Sequence, residues 1–230
     1  MDNRYYFTEL KENIVTISGG EAQHLCKVRR AKTNDEIVAF NGDGYDYSLK
    51  IIEITKDKVN AKVISKTLNE ETNDTNITVY LSMIKNDALT TAIDNLAELN
   101  VKHVKLFKSD YSVAVIDEKK LEKLNQIAIQ ASKQSERADI MKISIIDKKK
   151  IEKDCENIKT FFAYENSKNK IEKFNGEFAV IIGPEGGFSE VENKFFSSFA
   201  KNISLSKTIL RAEVACVASV SMLKAVTYVS

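Results

Sequence analysis

FAVIIGPEGGFSEVE, residues 178–192, decides how this chain of 230 residues is read. The apolar run Phe178 to Ile182 has the length of a buried strand. Ser189-Glu190-Val191-Glu192 is a capping box, with serine at the N-cap and glutamate three residues on. It opens a helix expected to bury Val191, Phe195, Phe196 and Phe199. Between strand and helix lie Gly183, Pro184, Glu185, Gly186 and Gly187. The chain has one proline and eight glycines, so this loop takes the sole proline and three of the glycines. Residues that restrict or free the backbone are concentrated where a strand meets a helix N-terminus. That marks a shaped loop open to close backbone approach by a ligand.

Outward from this loop, the second two-thirds of the chain repeat one grammar. Apolar strands ITVYLSMI (77–84), HVKLFK (103–108), MKISII (141–146), TFFAYE (160–165), FAVIIG (178–183) and NISLS (202–206) alternate with helical segments, which predicts an α/β domain with a mainly parallel sheet. The first helix is expected to start with Asn86 or Asp87 as N-cap and to place Leu89, Ile93, Leu96 and Leu99 on one face. The second lines up Leu121, Leu124, Ile127, Ala128 and Ala131. The last segment, VACVASVSMLKAVTYV (214–229), is apolar on nearly every face and carries only Lys224 as a charge. It is expected to be buried on more than one side, the second side supplied by a subunit interface.

Residues 1–72 read differently. Short apolar stretches separated by turn signals predict an all-β module, closed as a small barrel, with Asn41-Gly42-Asp43-Gly44 as a hairpin turn. The segment QHLCKVRRAK (23–32) interrupts it with helical spacing and gathers Lys27, Arg29, Arg30 and Lys32 into a basic patch. The polar run TLNEETNDTN (67–76) is expected to link this domain to a second one covering residues 73–230.

Composition removes several classes of function. With 34 basic and 33 acidic residues the net charge is +1, so a polyanion would have to be met by a local patch. No run of 18 apolar residues and no signal sequence is present, which predicts a cytoplasmic protein with no membrane partner. Cys26, Cys155 and Cys216 are odd in number and far apart, and only His24 and His103 accompany them, so neither a disulfide framework nor a metal site is expected. No Ser-His-Asp or Cys-His pairing stands out. The glycine loop is not a Walker loop, since Glu185 stands in it and no lysine follows, and no G-x-G-x-x-G opens a helix.

Twenty residues beyond the loop, LSKTILRAEVA (205–215) links a strand to the last helix. GPEGGFSEVE followed by LSKTILRAEVA resembles the signature of the RsmE family, the small-subunit ribosomal RNA uracil N3 methyltransferases of the SPOUT superfamily. The likeness extends to Arg4-Tyr5 and Phe7, QHLCKVRRAKTNDEI, FNGDG, Lys85, AELNV (97–101) and Gln134-Ser135-Glu136-Arg137. It implies an N-terminal PUA-like β-barrel followed by an α/β-knot domain, in which a mainly parallel sheet carries a C-terminal trefoil knot. It also implies a homodimer, S-adenosyl-L-methionine as cofactor, and 16S ribosomal RNA or the small ribosomal subunit as partner. Carried over residue by residue, the resemblance makes Tyr164, Ile182, Gly183, Glu185, Gly186, Gly187, Leu205, Ile209 and Leu210 cofactor neighbours.

The same resemblance places Arg211 where it can stabilise the anion of uracil N3, with Glu213 orienting it or accepting a proton. Arg4, His24, Lys27, Arg29, Arg30, Lys85, Gln134 and Arg137 are the candidate RNA contacts. For Arg29 and Arg30 an ordinary solvated face is nearly as good a reading, and for Gln134 and Arg137 a helix-end role is an even alternative. Against the family pattern, Ser206 stands for a glycine, Ala212 and Val214 for threonines, and Tyr111 for an arginine. The cofactor loops alone leave open a related methyltransferase acting on ribose 2′-oxygen or another base, and the changes at Ser206, Ala212 and Val214 leave open a non-catalytic RNA-binding protein.

Overall fold

The computed structural model describes residues 4–70, 76–167, 169 and 171–227; half of the expected linker, residues 71–75, lies outside them. The chain forms two compact units, Met1–Asp74 with Ser132–Ile140, and Thr75–Ala131 with Met141–Ser230.

The first unit is a six-stranded sheet in the order β1-β4-β5-β6-β3-β2. Its strands are β1 (Arg4–Tyr6), β2 (Glu9–Lys11), β3 (Ile14–Ser18), β4 (Glu36–Phe40), β5 (Tyr45–Ile54) and β6 (Lys58–Leu68). All pairs are antiparallel except β1 with β4. Tyr5 of β1 and Val15 and Ile17 of β3, from opposite ends of that order, share one core with Ile37, Leu49 and Val59, so the sheet wraps around a single apolar interior. The expected hairpin is present between β4 and β5, with Gly42 and Gly44 at φ +90° and +87°. A Cβ on Gly42 would lie 2.9 Å from the Ile140 side chain, so glycine there answers both a left-handed backbone and a close contact. The expected helical interruption begins earlier than its sequence suggests, as α1 (Gly19–Gln23), and continues as a π-helical turn over His24–Val28.

The second unit is an all-parallel sheet in the order β12-β10-β11-β7-β8-β9. In chain order it runs β7 (Ile77–Ser82), α2 (Asn86–Glu98), β8 (His103–Phe107), α3 (Glu118–Gln134) and β9 (Lys142–Ile145). A 3₁₀ turn (Lys148–Lys150) then enters α4 (Ile151–Asp154), followed by β10 (Lys159–Ala163), β11 (Phe178–Ile182), α5 (Glu190–Phe199), β12 (Lys201–Ile203) and α6 (Ala212–Thr227). Every residue of the adjacent strands β7 and β11 is buried, as expected of central strands covered on both faces.

Two expectations are corrected. Neither Asn86 nor Asp87 caps α2: Lys85 occupies the cap position with no side-chain bond, and both residues lie in the first turn. In α5 the capping box is present as predicted, but Val191 is 75% exposed, because the buried stripe of this helix runs through Glu192 and Phe196. In α6 one face is buried, through Ala212, Cys216, Ser219, Val220 and Leu223, against α2 and β11. Val214 and Met222 on its other side are exposed in the single chain.

Candidate functional site

Strands β12, β10 and β11 are neighbours and parallel, with Ala163 in register with Ile203 and Phe162 with Ile181. Their carboxyl ends therefore release three loops at one level, the position where open parallel sheets bind ligands. The first loop holds Tyr164 and Glu165, and is pinned by the Tyr164 amide donating to the Ile203 carbonyl at 3.0 Å. The second is 183–189. The third is 204–211, in which Ser206 Oγ accepts from the Thr208 amide at 3.1 Å and pairs with Thr208 Oγ1 at 3.0 Å. Here Ser206 turns its hydroxyl back onto its own loop.

The 183–189 loop is held at both ends. The Gly187 amide donates to the Pro184 carbonyl at 2.9 Å, and Gly187 takes φ +70°, which closes a tight turn that favours glycine. Phe188 inserts among Phe107, Phe162 and Phe196, with ring centroids 6.2, 5.4 and 5.0 Å away. Gly183 leaves the space for that ring: a Cβ there would lie 2.9 Å from Phe188 Cε2. Ser189 Oγ accepts from the Glu192 amide at 3.3 Å while Glu192 Oε2 accepts from the Ser189 amide at 3.1 Å, completing the capping box.

Two adjoining cavities open among the three loops. One is lined by Leu205, Ser206, Thr208 and Ile209, the other by Ile182, Gly183, Pro184, Gly187, Phe188, Asn193 and Ala212. Both share Ala163, Tyr164, Glu165, Leu210 and Ala215. Among the described residues Glu165 is the only charged one in either lining, so the site suits an apolar ring system and a cation better than a phosphate. Among the described residues no group of three metal-ligating side chains occurs. No helix among them is long and apolar enough to cross a membrane.

A family model described as an RNA methyltransferase domain matches residues 70–224, and one described as an RNA methyltransferase PUA domain matches residues 17–64. The ribosomal RNA small subunit methyltransferase E of Helicobacter pylori is 30% identical over 92% of this chain and 95% of that protein. The chain belongs to this RNA methyltransferase family. The corresponding protein of Rickettsia conorii is 28% identical over 96% of this chain and 95% of its own length. In fold, this methyltransferase is similar to the ribosomal RNA small subunit methyltransferase E of Neisseria gonorrhoeae, solved bound to S-adenosyl methionine. The TM-score is 0.83 at 23% identity over 98% of both chains. A Legionella pneumophila protein, also solved with that cofactor, gives 0.85 at 23% identity over 98% of both chains. The mixed α/β architecture with a PUA-like domain and a parallel sheet is shared with these two solved proteins.

Of the nine cofactor neighbours predicted for this RNA methyltransferase, Tyr164, Ile182, Gly183, Gly187, Leu205, Ile209 and Leu210 line the cavities. Glu185 and Gly186 do not. Glu185 Oε1 accepts from the Lys85 amide at 3.1 Å, and Gly186 faces Tyr111, whose Cβ would be 3.4 Å from an added Cβ. Sequence reasoning missed Glu165, Phe188 and Asn193; each directly adjoins a motif residue or strand end, and that adjacency was the available signal. Arg211 is exposed and Glu213 half-buried in the first turn of α6. Neither side chain has a hydrogen bond or ion pair among the described residues.

The RNA contacts predicted for this methyltransferase divide by exposure. Lys27, Arg29, Arg30, Lys85 and Gln134 are exposed and His24 is half-buried. Arg4 and Arg137 are only 9% and 4% exposed and are used internally. Arg4 pairs with Asp46, donates to the Arg137 carbonyl at 2.7 Å and lies 4.7 Å from the Phe40 ring centroid. Arg137 grips Asp139 through Nε and an Nη, both at 3.0 Å. A buried guanidinium engaged by partners inside the protein is out of reach of a phosphate, so these two do not belong to the exposed basic set.

Proposed function

We propose that this methyltransferase transfers the methyl group of S-adenosyl-L-methionine to N3 of a uridine in 16S ribosomal RNA, the family target being uracil-1498. The supporting observation is the convergence of three loops on cavities whose only charged lining residue, among the described residues, is a carboxylate, with Arg211 and Glu213 adjoining the lining residues Leu210 and Ala212 in the chain. In this reading residues 1–72 dock the ribosomal RNA through His24, Lys27, Arg29 and Arg30, and residues 73–230 carry out transfer in the cytoplasm, with Lys85 and Gln134 as further RNA contacts.

Bound S-adenosyl-L-methionine supplies an electrophilic methyl on a sulfonium. Tyr164, Ile182, Leu205, Ile209 and Leu210 would hold its apolar part, Glu165 would offset its positive charge, and the backbone of Gly183 and Gly187 would admit it closely. In this reading Arg211 would stabilise the charge that develops on the uracil carbonyl oxygens as N3 loses its proton, a contribution of about 10²–10³ in rate for comparable donors. Glu213 orients that guanidinium or takes the proton. The unpaired state of both side chains within one chain agrees with their being free for substrate.

Two further elements belong to this proposal. A homodimer is supported by the apolar side of α6 left open at Val214 and Met222. A trefoil knot in the second domain is supported by the path of the chain, which leaves β11, crosses to β12 on the far side of β10, and returns as α6 against β11. The test is incubation of the protein with radiolabelled S-adenosyl-L-methionine and small ribosomal subunits from a strain lacking this gene, followed by nucleoside analysis. Label in 3-methyluridine at one site is the expected result. Label in another nucleoside would overturn the target, and absence of label beside an active control would overturn the reaction.

A further inference from the structure

In an ordinary capping box the glutamate accepts the N-cap amide and stays in solvent. Glu192 is instead 2% exposed, and it carries two additional donors. Its Oε1 accepts from the Asp110 amide at 2.9 Å and from Lys148 Nζ at 2.6 Å. Lys148 also donates to Asp110 Oδ1 at 2.7 Å, and Asp110 Oδ2 accepts from Ser189 Oγ at 2.5 Å. One ammonium, from the turn after β9, thus ties together the loop after β8 and the last residue of the 183–189 loop. A buried carboxylate needs this compensation, since amide donors alone leave its charge poorly balanced. Burial works against the Lys148 ammonium, but its bonds to Asp110 and Glu192 outweigh that and hold its pKa above the ordinary lysine value.

The consequence reaches the cavity wall. Ser189 directly follows Phe188, which with Gly183 and Gly187 lines the site, so the backbone that Glu192 fixes is continuous with the lining. We infer that Lys148 is a positioning residue for cofactor binding, acting through Glu192 and Asp110 on the backbone of Ser189 to hold the 183–189 loop in its binding geometry. This rests on the cofactor site proposed above. Lys148 lies outside both cavity linings, so its effect is on the population of the competent loop and not on a contact with the ligand.

The experiment is calorimetric titration of the full chain with S-adenosylhomocysteine for the parent, K148M, K148R and D110N, with circular dichroism of each. Affinity for 16S ribosomal RNA without cofactor is measured by filter binding. K148M is expected to raise Kd for the cofactor product about tenfold, as when the competent fraction of the loop falls to about a tenth. K148R should recover to within about threefold, because a guanidinium can bridge both carboxylates. RNA affinity should stay within about twofold throughout. A K148M Kd within twofold of the parent overturns the inference, as does a parallel loss of RNA affinity, which would mark a general structural role. If K148M does not fold, D110N decides: a rise of about threefold supports the inference and an unchanged Kd overturns it. Failure of the parent itself to bind S-adenosylhomocysteine would overturn the cofactor site, and this inference with it.

Discussion

Replacing Gly183 by alanine isolates one packing effect at the edge of the proposed site. Gly183 does not occupy the left-handed region, so alanine brings no backbone strain, only a methyl group. That methyl would lie 2.9, 3.1 and 3.3 Å from Phe188 Cε2, Cδ2 and Cζ, the nearest about 0.6 Å short of a carbon contact of about 3.5 Å. The Phe188 ring has little room to yield, being packed on Phe107, Phe162 and Phe196, all three fully buried. Overpacking of this kind costs about 1–3 kcal/mol, which for a chain of this size lowers the thermal midpoint by about 2–10 °C. Since the displaced ring lines the cavity, affinity for S-adenosylhomocysteine should fall as well. G183A, F188L and the double variant would be compared by thermal unfolding and calorimetric titration. The double variant should be more stable than the two single losses add up to by about 1 kcal/mol, because leucine withdraws the clashing ring edge. Wild-type stability and affinity for G183A, or strict additivity in the double variant, would refute the reasoning.

Arg211→Ala should lower kcat by about 10²–10³ while Kd for S-adenosylhomocysteine stays within about twofold; near-normal turnover in a folded, cofactor-binding variant would sink the assigned role. Burial pushes the thiols of Cys155 and Cys216 up, away from the reactive thiolate, whereas Cys26 is only half-buried. Iodoacetamide at pH 8 should therefore modify Cys26 in the native protein and the other two only after denaturation, as read by peptide mass spectrometry. Burial opposes ionisation of Asp154, but hydrogen bonds from Lys105 Nζ at 2.5 Å and Tyr80 Oη at 2.6 Å outweigh it and hold the carboxyl below the usual range. With the folded pKa below the unfolded value of about 3.9, this contribution is complete above that value and is lost as pH falls through the folded one. D154N should thus be less stable than the parent by about 1 kcal/mol at pH 7, a gap that closes below about pH 4; urea titrations showing the same gap at pH 3 would contradict this.

The order of strands and helices was legible in the chain because each element carries its own periodicity. The six apolar runs from Ile77 onward are six strands, and the capping box at Ser189 and Glu192 opens α5 where it was read. The glycine-proline loop was legible because such residues are scarce elsewhere, and seven of nine expected cofactor neighbours meet in one cleft. What local pattern could not decide is which of several similar side chains faces inward. Val191 has the composition of a core residue and points to solvent, while Arg4 and Arg137 have the composition of a phosphate contact and are buried. Those outcomes depend on partners far away in sequence: Arg4 meets the carbonyl of Arg137, 133 positions on, and Glu192 meets Asp110, 82 positions back. By itself the sequence determined the elements, their order and the family signature, since these follow from short-range periodicity and backbone-specific residues. Only the tertiary structure decided the Lys148 network, the Phe188 wedge and the fate of the two arginines, because burial and charge pairing are set by long-range neighbours that no local window contains.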